Sequence, residues 1–216
     1  MEDFNLMCFK HCSVDVRLFY IREKTSLVFQ RCPVCGHAIG RSKLLVPPFL
    51  VPNPIVRNAV GVRCCLTIKP STCSFQEYKS SESELHIGVS NSKGHIYHYD
   101  QDGLHCDSDP LCTYWTHCLV VPCSELGVDE VTESFMSSMD CSEWMAAFYH
   151  RDSHNCYDFT VAVLNFIVKS SSSRSSHGFW TKDSVCRYVL PHTRCVAQYL
   201  DVITRANEIG ICPVKS

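Results

Sequence analysis

A cysteine at the start of a predicted helix is the residue best placed to do chemistry in this sequence. Residues 154–168 read from polar to apolar, with Cys156 just before the apolar run. The pattern predicts a loop that becomes a buried helix with Cys156 in its first turn. The unpaired N–H groups of a helix N-terminus favour a thiolate, the form of cysteine that attacks carbonyl carbons. Cys156 is therefore a candidate nucleophile.

Two histidines could serve such a nucleophile. Residues 85–89 and 95–99 alternate between apolar and other side chains, and a polar turn ending in glycine separates them, which predicts a β-hairpin. A four-residue turn allows His86 and His98 to lie close together across the hairpin. Gly88, beside His86, leaves room for another group to approach. Thiol chemistry needs a base and a group that orients the base, and His86 and His98 suit these two roles.

A second group of reactive residues lies near the N-terminus. Cys32 and Cys35 form a Cys-x-x-Cys followed by Gly36, a tight turn that directs two thiolates at one point and supplies half of a tetrahedral zinc site. Residues 14–21 and 26–29 flank a polar turn, which predicts a β-hairpin. Cys12, with either His11 or Cys8, would supply the other half of the site from the far end of this hairpin.

We therefore predict a zinc-ribbon-like module with one structural zinc ion, and a metal-free hairpin is the alternative. The predicted ligands are His11, Cys12, Cys32 and Cys35. Such a small module has little core of its own, so the metal would contribute much of its stability.

The segments divide into three predicted regions. Residues 1–45 form the zinc-ribbon-like module, residues 46–61 a proline-rich extended connector, and residues 62–216 an α+β domain in which an antiparallel sheet packs against a buried helix. Within the last region we predict strands over residues 62–68 and 115–121, a loop over 101–114, and a flexible serine-rich loop over 170–176. We predict helices over residues 125–148, over 179–190 with Thr181 as N-cap, and from Pro191 to Gly210.

Several cysteines and histidines have an ordinary structural explanation. We interpret Cys64, Cys65 and Cys73 as buried thiols, because no partner stands at metal-ligand spacing. The histidines His95, His105 and His117 are interpreted as solvated or hydrogen-bonded strand residues.

The composition limits the cell compartment and the partners. The net charge of −2 gives no basic field for nucleic acid, and no apolar run is long enough for a membrane span. Sixteen cysteines without a recognisable signal peptide favour a reducing compartment, so we expect the protein in the cytoplasm or nucleus. We also expect a monomer.

The order of these residues resembles that of the circularly permuted papain-like peptidases and acyltransferases, which include the lecithin:retinol acyltransferase-like and PPPDE-type deSUMOylating groups. In that superfamily a strand histidine precedes a helix-borne cysteine, as His86 precedes Cys156 here. The resemblance covers roughly residues 84–168 and implies that Cys156 is the nucleophile, His86 the base and His98 the orienting residue. In the acyltransferases a histidine commonly follows a Cys-Glu pair, whereas Tyr157 and Asp158 follow the cysteine here. No hydrophobic tail follows either, which argues against a membrane-bound lipid substrate.

A wider resemblance covers nearly the whole chain and is to the makorin-2 opposite-strand family. The segments that carry it are residues 11–12, 32–35, 85–89, 154–157 and 191–194. It identifies a family without implying a reaction.

These patterns support three hypotheses. In the first, the protein is a cysteine hydrolase or acyltransferase for an amide, isopeptide or ester bond in a protein or small molecule, and backbone N–H groups near Cys156, assisted by Asn155, stabilise the oxyanion. In the second, the same fold is a non-catalytic, zinc-stabilised interaction module with an inert Cys156. In the third, Cys156, His86 and His98 form a second metal site.

Overall fold

A computed structural model describes residues 5–72, 75, 84–123, 134–135, 137, 141–170 and 179–215. This part of the chain forms two antiparallel sheets and two α-helices, which confirms the predicted α+β class. The strands are β1 (Leu6–Lys10), β2 (Val16–Ile21), β3 (Val46–Leu50), β4 (Ile55–Asn58), β5 (Cys65–Pro70), β6 (Leu85–Ser90), β7 (Ile96–Asp100), β8 (Gly103–Asp107), β9 (Thr116–Pro122) and β10 (Cys212–Lys215). The helices are α1 (Cys156–Ser170) and α2 (Lys182–Ile209).

The chain divides into two compact units, residues 1–53 with 195–216, and residues 54–194. This division differs from the predicted one, in which the second domain ran to the C-terminus. The reason is that β10 pairs with β2, which places the last strand in the sheet of the first unit. Such a long-range pairing has no local signature in the sequence.

The first unit is built on a four-stranded sheet with the order β10-β2-β1-β3. The predicted hairpin of residues 14–21 with 26–29 is wrong. Strand β2 pairs with β1 instead, and Leu27–Phe29 form a 3-10 turn. The proline-rich segment, predicted as a connector, contributes β3 at the edge of the sheet. The edge position leaves one side of the β3 backbone without a partner strand, and the pairing with β1 is irregular between Cys8 and Lys10, opposite Pro47 and Pro48. Prolines are tolerated at an edge and at such an irregularity because no ladder donor is needed there.

Alternation along β1 gives the first unit two apolar layers. Phe9 packs with Leu18 and Tyr20 on one face, against the segment that carries Cys32 and Ile39. Leu6 and Ile21 face the other way and pack against the second half of α2 through Tyr199, Val202 and Ala206. The period of two along the strands thus places the cysteine loop and the helix on opposite faces of one sheet.

The second unit holds a six-stranded antiparallel sheet with the order β4-β9-β5-β6-β7-β8. Helix α1 packs against β6 and β7. Its buried residues recur every three or four positions and are Cys156, Phe159, Thr160, Val163, Leu164 and Ile167. The helix spacing therefore turns Cys156 toward the same two strands that carry the histidines.

Helix α2 runs unbroken through Pro191, where two separate helices were predicted. The apolar stripe of Val185, Val189 and Val196 continues across the proline, so packing offsets the lost backbone hydrogen bond. The predicted N-cap is confirmed, because the N–H of Ser184 donates to Thr181 Oγ1 at 3.2 Å. No helix in the described part of the chain is both long and apolar enough to cross a membrane.

The helix predicted over residues 125–148 is confirmed at the described residues 134, 135 and 137, which are helical, and is wrong over residues 141–148. Residues 141–148 form two 3-10 turns, Cys141–Trp144 and Ala146–Phe148, in place of an α-helix. Most of residues 125–140, almost all of the serine-rich loop, and Cys73 lie outside the described residues.

Candidate functional site

The β6–β7 hairpin brings the two predicted histidines into contact. Its register pairs Val89 with Tyr97 and Ser90 with Ile96, and this confirms the predicted hairpin. His86 and His98 lie on one face of the sheet, and Nε2 of His86 is 2.9 Å from Nδ1 of His98. Both rings are buried.

The hydrogen bonds continue from His98 to a carboxylate that was not predicted. Nε2 of His98 lies 3.0 Å from Oδ2 of Asp107, and the indole N–H of Trp115 donates to the same oxygen at 2.8 Å. An ionised carboxylate can only accept, so His98 must carry its proton on Nε2. Its Nδ1 must then accept from the Nε2–H of His86. The chain of bonds therefore leaves an unprotonated Nδ1 on His86.

Burial keeps both rings in the neutral form that this tautomer assignment requires. It is the largest cause that lowers the pKa of His86 to about 3, and the neighbouring His98 acts in the same direction. Burial also lowers the pKa of His98, although Asp107 opposes this shift. At neutral pH each imidazole has one proton and one lone pair.

Aromatic side chains hold the two rings in place. Trp115 stacks on His86 with ring centres 5.7 Å apart, and Tyr114 stacks on His98 at 5.0 Å. The ammonium of Lys69 lies 3.8 Å from the centre of the Tyr114 ring. These contacts fix the ring planes, which a relay of hydrogen bonds needs.

Gly88 makes room for one of these aromatic rings. A Cβ atom at this position would lie 3.0 Å from the Trp115 ring and 2.9 Å from the Ile96 side chain. The space that the sequence predicted beside His86 is therefore filled by the indole of Trp115.

The variant Gly88→Ala should force the indole away from His86 and destabilise the fold by about 1–3 kcal/mol, as overpacking does in other cores. Urea unfolding followed by tryptophan fluorescence would measure the change. The double variant Gly88→Ala/Trp115→Phe, with a shorter ring, should recover part of the loss. A single variant as stable as the wild type would contradict the assigned contact.

Cys156 is the first residue of α1, and a reciprocal cap fixes the start of the helix. Oδ1 of Asn155 accepts from the N–H of Tyr157 at 2.9 Å, and a carboxylate oxygen of Asp158 accepts from the N–H of Asn155 at 2.8 Å. This is the pattern of a capping box. The side-chain amide of Asn155 also donates to the carbonyl of Arg151 at 2.5 Å. Any assistance from this amide to an oxyanion would have to break that bond.

The ionisation of Cys156 differs from the expectation drawn from its helix position. Burial raises the pKa of the thiol to about 11, while the backbone N–H groups of Ile87, Tyr157 and Cys156 act in the opposite direction. Burial outweighs the helix N-terminus, so the resting group at neutral pH is a thiol and not a thiolate.

Cys156 and His86 line the same cavity, which has a volume of about 360 Å³. Its other lining residues are Ser71, Glu84, Leu85, Tyr149, Arg151, Asn155 and Tyr157. Arg151 and Glu84 form an ion pair at this cavity. Within the described residues, no hydrogen bond joins the Cys156 sulfur to the His86 ring.

The first unit brings the four predicted metal ligands together. One ligand atom from each of His11, Cys12, Cys32 and Cys35 lies within 4.8 Å of all the others. The sulfurs of Cys12 and Cys32 are 3.8 Å apart, and Cys35 Sγ is 3.4 Å from Nδ1 of His11. A tetrahedral zinc ion with bonds of about 2.3 Å to sulfur spaces its sulfur ligands by roughly 3.8 Å. The residues present therefore fit a metal ion.

The local backbone explains how Cys32 and Cys35 converge. The N–H of Gly36 donates to the carbonyl of Cys32 at 2.8 Å, and Gly36 has a φ of 74°, which favours glycine. The N–H of Val34 points at the Cys32 sulfur at 3.4 Å. The fourth member of the group is His11, because Cys8 is buried in β1 outside the group.

Sequence reasoning missed the carboxylates of the histidine site. Asp107 ends β8, an edge strand in the segment predicted as a loop. Oδ1 of Asp100, the last residue of β7, lies 2.9 Å from Nε2 of His105, and His105 stacks on His98 at 4.9 Å. His105 is a hydrogen-bonded strand residue, as predicted, but it belongs to the site. Only the pairing of β7 with β8 shows this.

Comparison with known proteins places the chain in a family. The family model described as DUF4796 C-terminal matches residues 48–206, more than half of the chain, and the protein belongs to this family. A human relative, the MKRN2 opposite strand protein, is 24% identical over 217 residues that cover 96% of this chain and 90% of the relative. This similarity supports the resemblance to the makorin opposite-strand family. No solved structure matches the chain.

Proposed function

We propose that the protein is a thiol-dependent hydrolase or acyltransferase with a permuted papain-like arrangement of its site. The observation that carries the proposal is the chain of hydrogen bonds from Asp107 through His98 to His86, from which the tautomer of His86 is assigned. The bonds from Asp107 through His98 leave the lone pair on Nδ1 of His86, and His86 shares a cavity with Cys156. A base with an available lone pair beside a thiol is the arrangement that nucleophilic thiol chemistry needs.

The reaction begins when the Cys156 sulfur attacks a carbonyl carbon and its proton moves to Nδ1 of His86. The tetrahedral oxyanion is stabilised by backbone N–H groups at the start of α1. His86 then returns the proton to the leaving amine or alcohol, and an acyl-thioester remains on Cys156. Water or an acceptor amine attacks this thioester and regenerates the thiol.

The raised pKa of Cys156 and the lowered pKa of His86 make a resting thiolate–imidazolium pair unfavourable. Proton transfer therefore accompanies attack on the substrate, as in general base catalysis. His98 would stabilise the transient charge on His86 because its own Nε2–H is bonded to the Asp107 carboxylate. His98 thus acts as the orienting residue.

The cavity favours a polar substrate. Charged and polar side chains, among them Arg151, Glu84 and Ser71, surround Cys156, and Leu85 is the one aliphatic residue among the described residues of the lining. A long lipid chain would find little apolar surface there. An amide or isopeptide with polar neighbours fits the lining better than a lipid ester.

The metal group of the first unit completes the proposal. We assign it a structural zinc ion, because three thiolates and one imidazole form a closed ligand set of the kind that structural zinc takes. None of the fourteen cysteines whose side chains the structure describes is in a disulfide. Free thiols in this number are consistent with a reducing compartment, the cytoplasm or nucleus.

The test is labelling of the folded protein with an activated peptide ester, followed by peptide mass spectrometry. Cys156 should be acylated selectively and should release the acyl group to water or to an added amine. Cys118 and Cys123 are matched controls, because burial raises the pKa of each thiol to about 12 and neither lines the cavity of Cys156. Equal, slow labelling of all three thiols would exclude the proposed reaction.

A non-catalytic role is the second candidate, and the neutral resting state of Cys156 and His86 favours it. In that case the second unit is an interaction module and Cys156 is a packed thiol. The same labelling experiment separates the two, because an inert Cys156 would form no acyl-thioester.

A further inference from the structure

We propose that His86, His98 and Asp100 form a second metal site, distinct from the cysteine group, that takes a divalent ion such as Zn²⁺ and regulates Cys156. One ligand atom from each of the three residues lies within 4.8 Å of the others. Two imidazoles and a carboxylate are common zinc ligands, and three protein ligands leave a fourth position open. This set differs from the Cys156, His86 and His98 set suggested by the sequence, because Asp100 and not Cys156 joins the two rings.

The surroundings of His98 are those of a metal-ligating histidine. Its Nε2–H is bonded to Asp107, which in turn accepts from the indole of Trp115. This carboxylate–histidine arrangement holds the lone pair of Nδ1 ready for a metal. Asp100 has a similar support, because its Oδ1 is bonded to the ring of His105 and to the N–H of Asp102. Its Oδ2 is 3.8 Å from Nδ1 of His98.

An ion can enter this group with small movements. Nε2 of His86 and Nδ1 of His98 are 2.9 Å apart, and zinc bonds of about 2.0–2.1 Å to nitrogen place two such atoms roughly 3.4 Å apart. The rings need to part by about half an ångström. Asp100 offers a route from solvent, since its side chain is 21% exposed.

Metal binding would switch off the base that the proposed function uses. The metal takes the lone pair of Nε2 of His86, so the proton now on that atom moves to Nδ1. Nδ1 then carries a hydrogen and cannot accept the proton of Cys156. This regulatory consequence rests on the proposed function, whereas metal binding itself does not.

The test uses the full chain with its tightly held zinc and measures uptake of added Zn²⁺ against a chromophoric chelator. The wild type should take one further equivalent. The variant Asp100→Asn keeps an oxygen that can bond to His105. Its affinity for the second Zn²⁺ should fall by at least about tenfold, because even the loss of a residue that only supports a metal ligand lowers metal affinity about 10–100-fold. Asp109→Asn is the matched control, because Asp109 is exposed and its side chain accepts from the N–H of Leu111 within its own turn. No further equivalent in the wild type, or equal binding by Asp100→Asn, would overturn the site.

Two further arms separate this inference from the proposed function. Cys156→Ala should still bind the second equivalent of Zn²⁺. If this variant fails to bind it, the thiol is a ligand, and the set of His86, His98 and Asp100 is overturned. Added Zn²⁺ should slow acylation of Cys156 in the wild type but not in Asp100→Asn, and equal slowing in both would overturn the regulatory role. A protein that binds the second ion through Asp100 but never acylates Cys156 would retain the metal site and lose the proposed reaction.

Discussion

Replacement of His86 by alanine is expected to slow acylation of Cys156 by roughly 10²–10⁴-fold, the contribution typical of a general base. The buried thiol has a pKa of about 11, so without a base very little thiolate exists at neutral pH. The rate constant for acyl-thioester formation, measured with an activated peptide ester by rapid quench, would give the effect directly. The loss should shrink as the pH approaches 11, because hydroxide then removes the proton that His86 would take.

The control for this experiment is His95→Ala. His95 lies in the same hairpin, bonds to Asn91 through its backbone and is not among the residues that line the cavity of Cys156. Its replacement should change the acylation rate far less than that of His86. A rate in His86→Ala within a few-fold of the wild type, with the fold intact by circular dichroism, would exclude His86 as the base.

Loss of the cysteine-bound metal is the second large effect that we expect. A ligand present at a thousand times its Kd stabilises the folded state by about 4 kcal/mol, and Cys32→Ser should cost at least that much. Cys32 lies in the segment that covers Phe9 and Leu18, so the loss of the metal frees one apolar face of the sheet. Zinc content by mass spectrometry and unfolding in guanidinium, with and without a strong chelator, would measure both changes.

Cys186→Ser serves as the control for that variant, because Cys186 is exposed on α2 and far in sequence from the metal group. It should retain one zinc ion per chain and an unchanged unfolding midpoint. If Cys32→Ser kept its zinc and its midpoint, the group of three cysteines and His11 would not be a metal site.

The metal group shows what local patterns can predict. Cys32 and Cys35 converge because a tight turn with Gly36 at positive φ follows the pair. Consecutive residues form this turn, so the sequence is enough to predict it. The pair Cys12 and His11 was also found, but through an incorrect hairpin, since β2 pairs with β1. That His11 and not Cys8 belongs to the group is visible only in the folded sheet, where strand alternation buries Cys8 in the core.

The ionisation of Cys156 shows what a local pattern cannot predict. Its place at the start of α1 follows from the sequence, through the capping residues and the apolar run behind them. The pKa of its thiol depends on how completely the second unit covers it, and burial reverses the direction expected from the helix N-terminus. Desolvation is a property of all neighbours in space and has no pattern along the chain.

Sequence patterns alone were enough to predict the α+β class, the His86–His98 hairpin, the position of Cys156, and Cys12, Cys32 and Cys35 of the cysteine group. All of these depend on spacing within a few residues, where periodicity and turn chemistry act. Three features became visible only in the folded chain: β10 completes the first sheet, α2 continues through Pro191, and Asp107 and Asp100 border the histidines. These features arise from strand pairing and packing between distant segments. Among them, Asp107 supports the tautomer assigned to His86, and Asp100 completes the ligand set of the proposed second metal site.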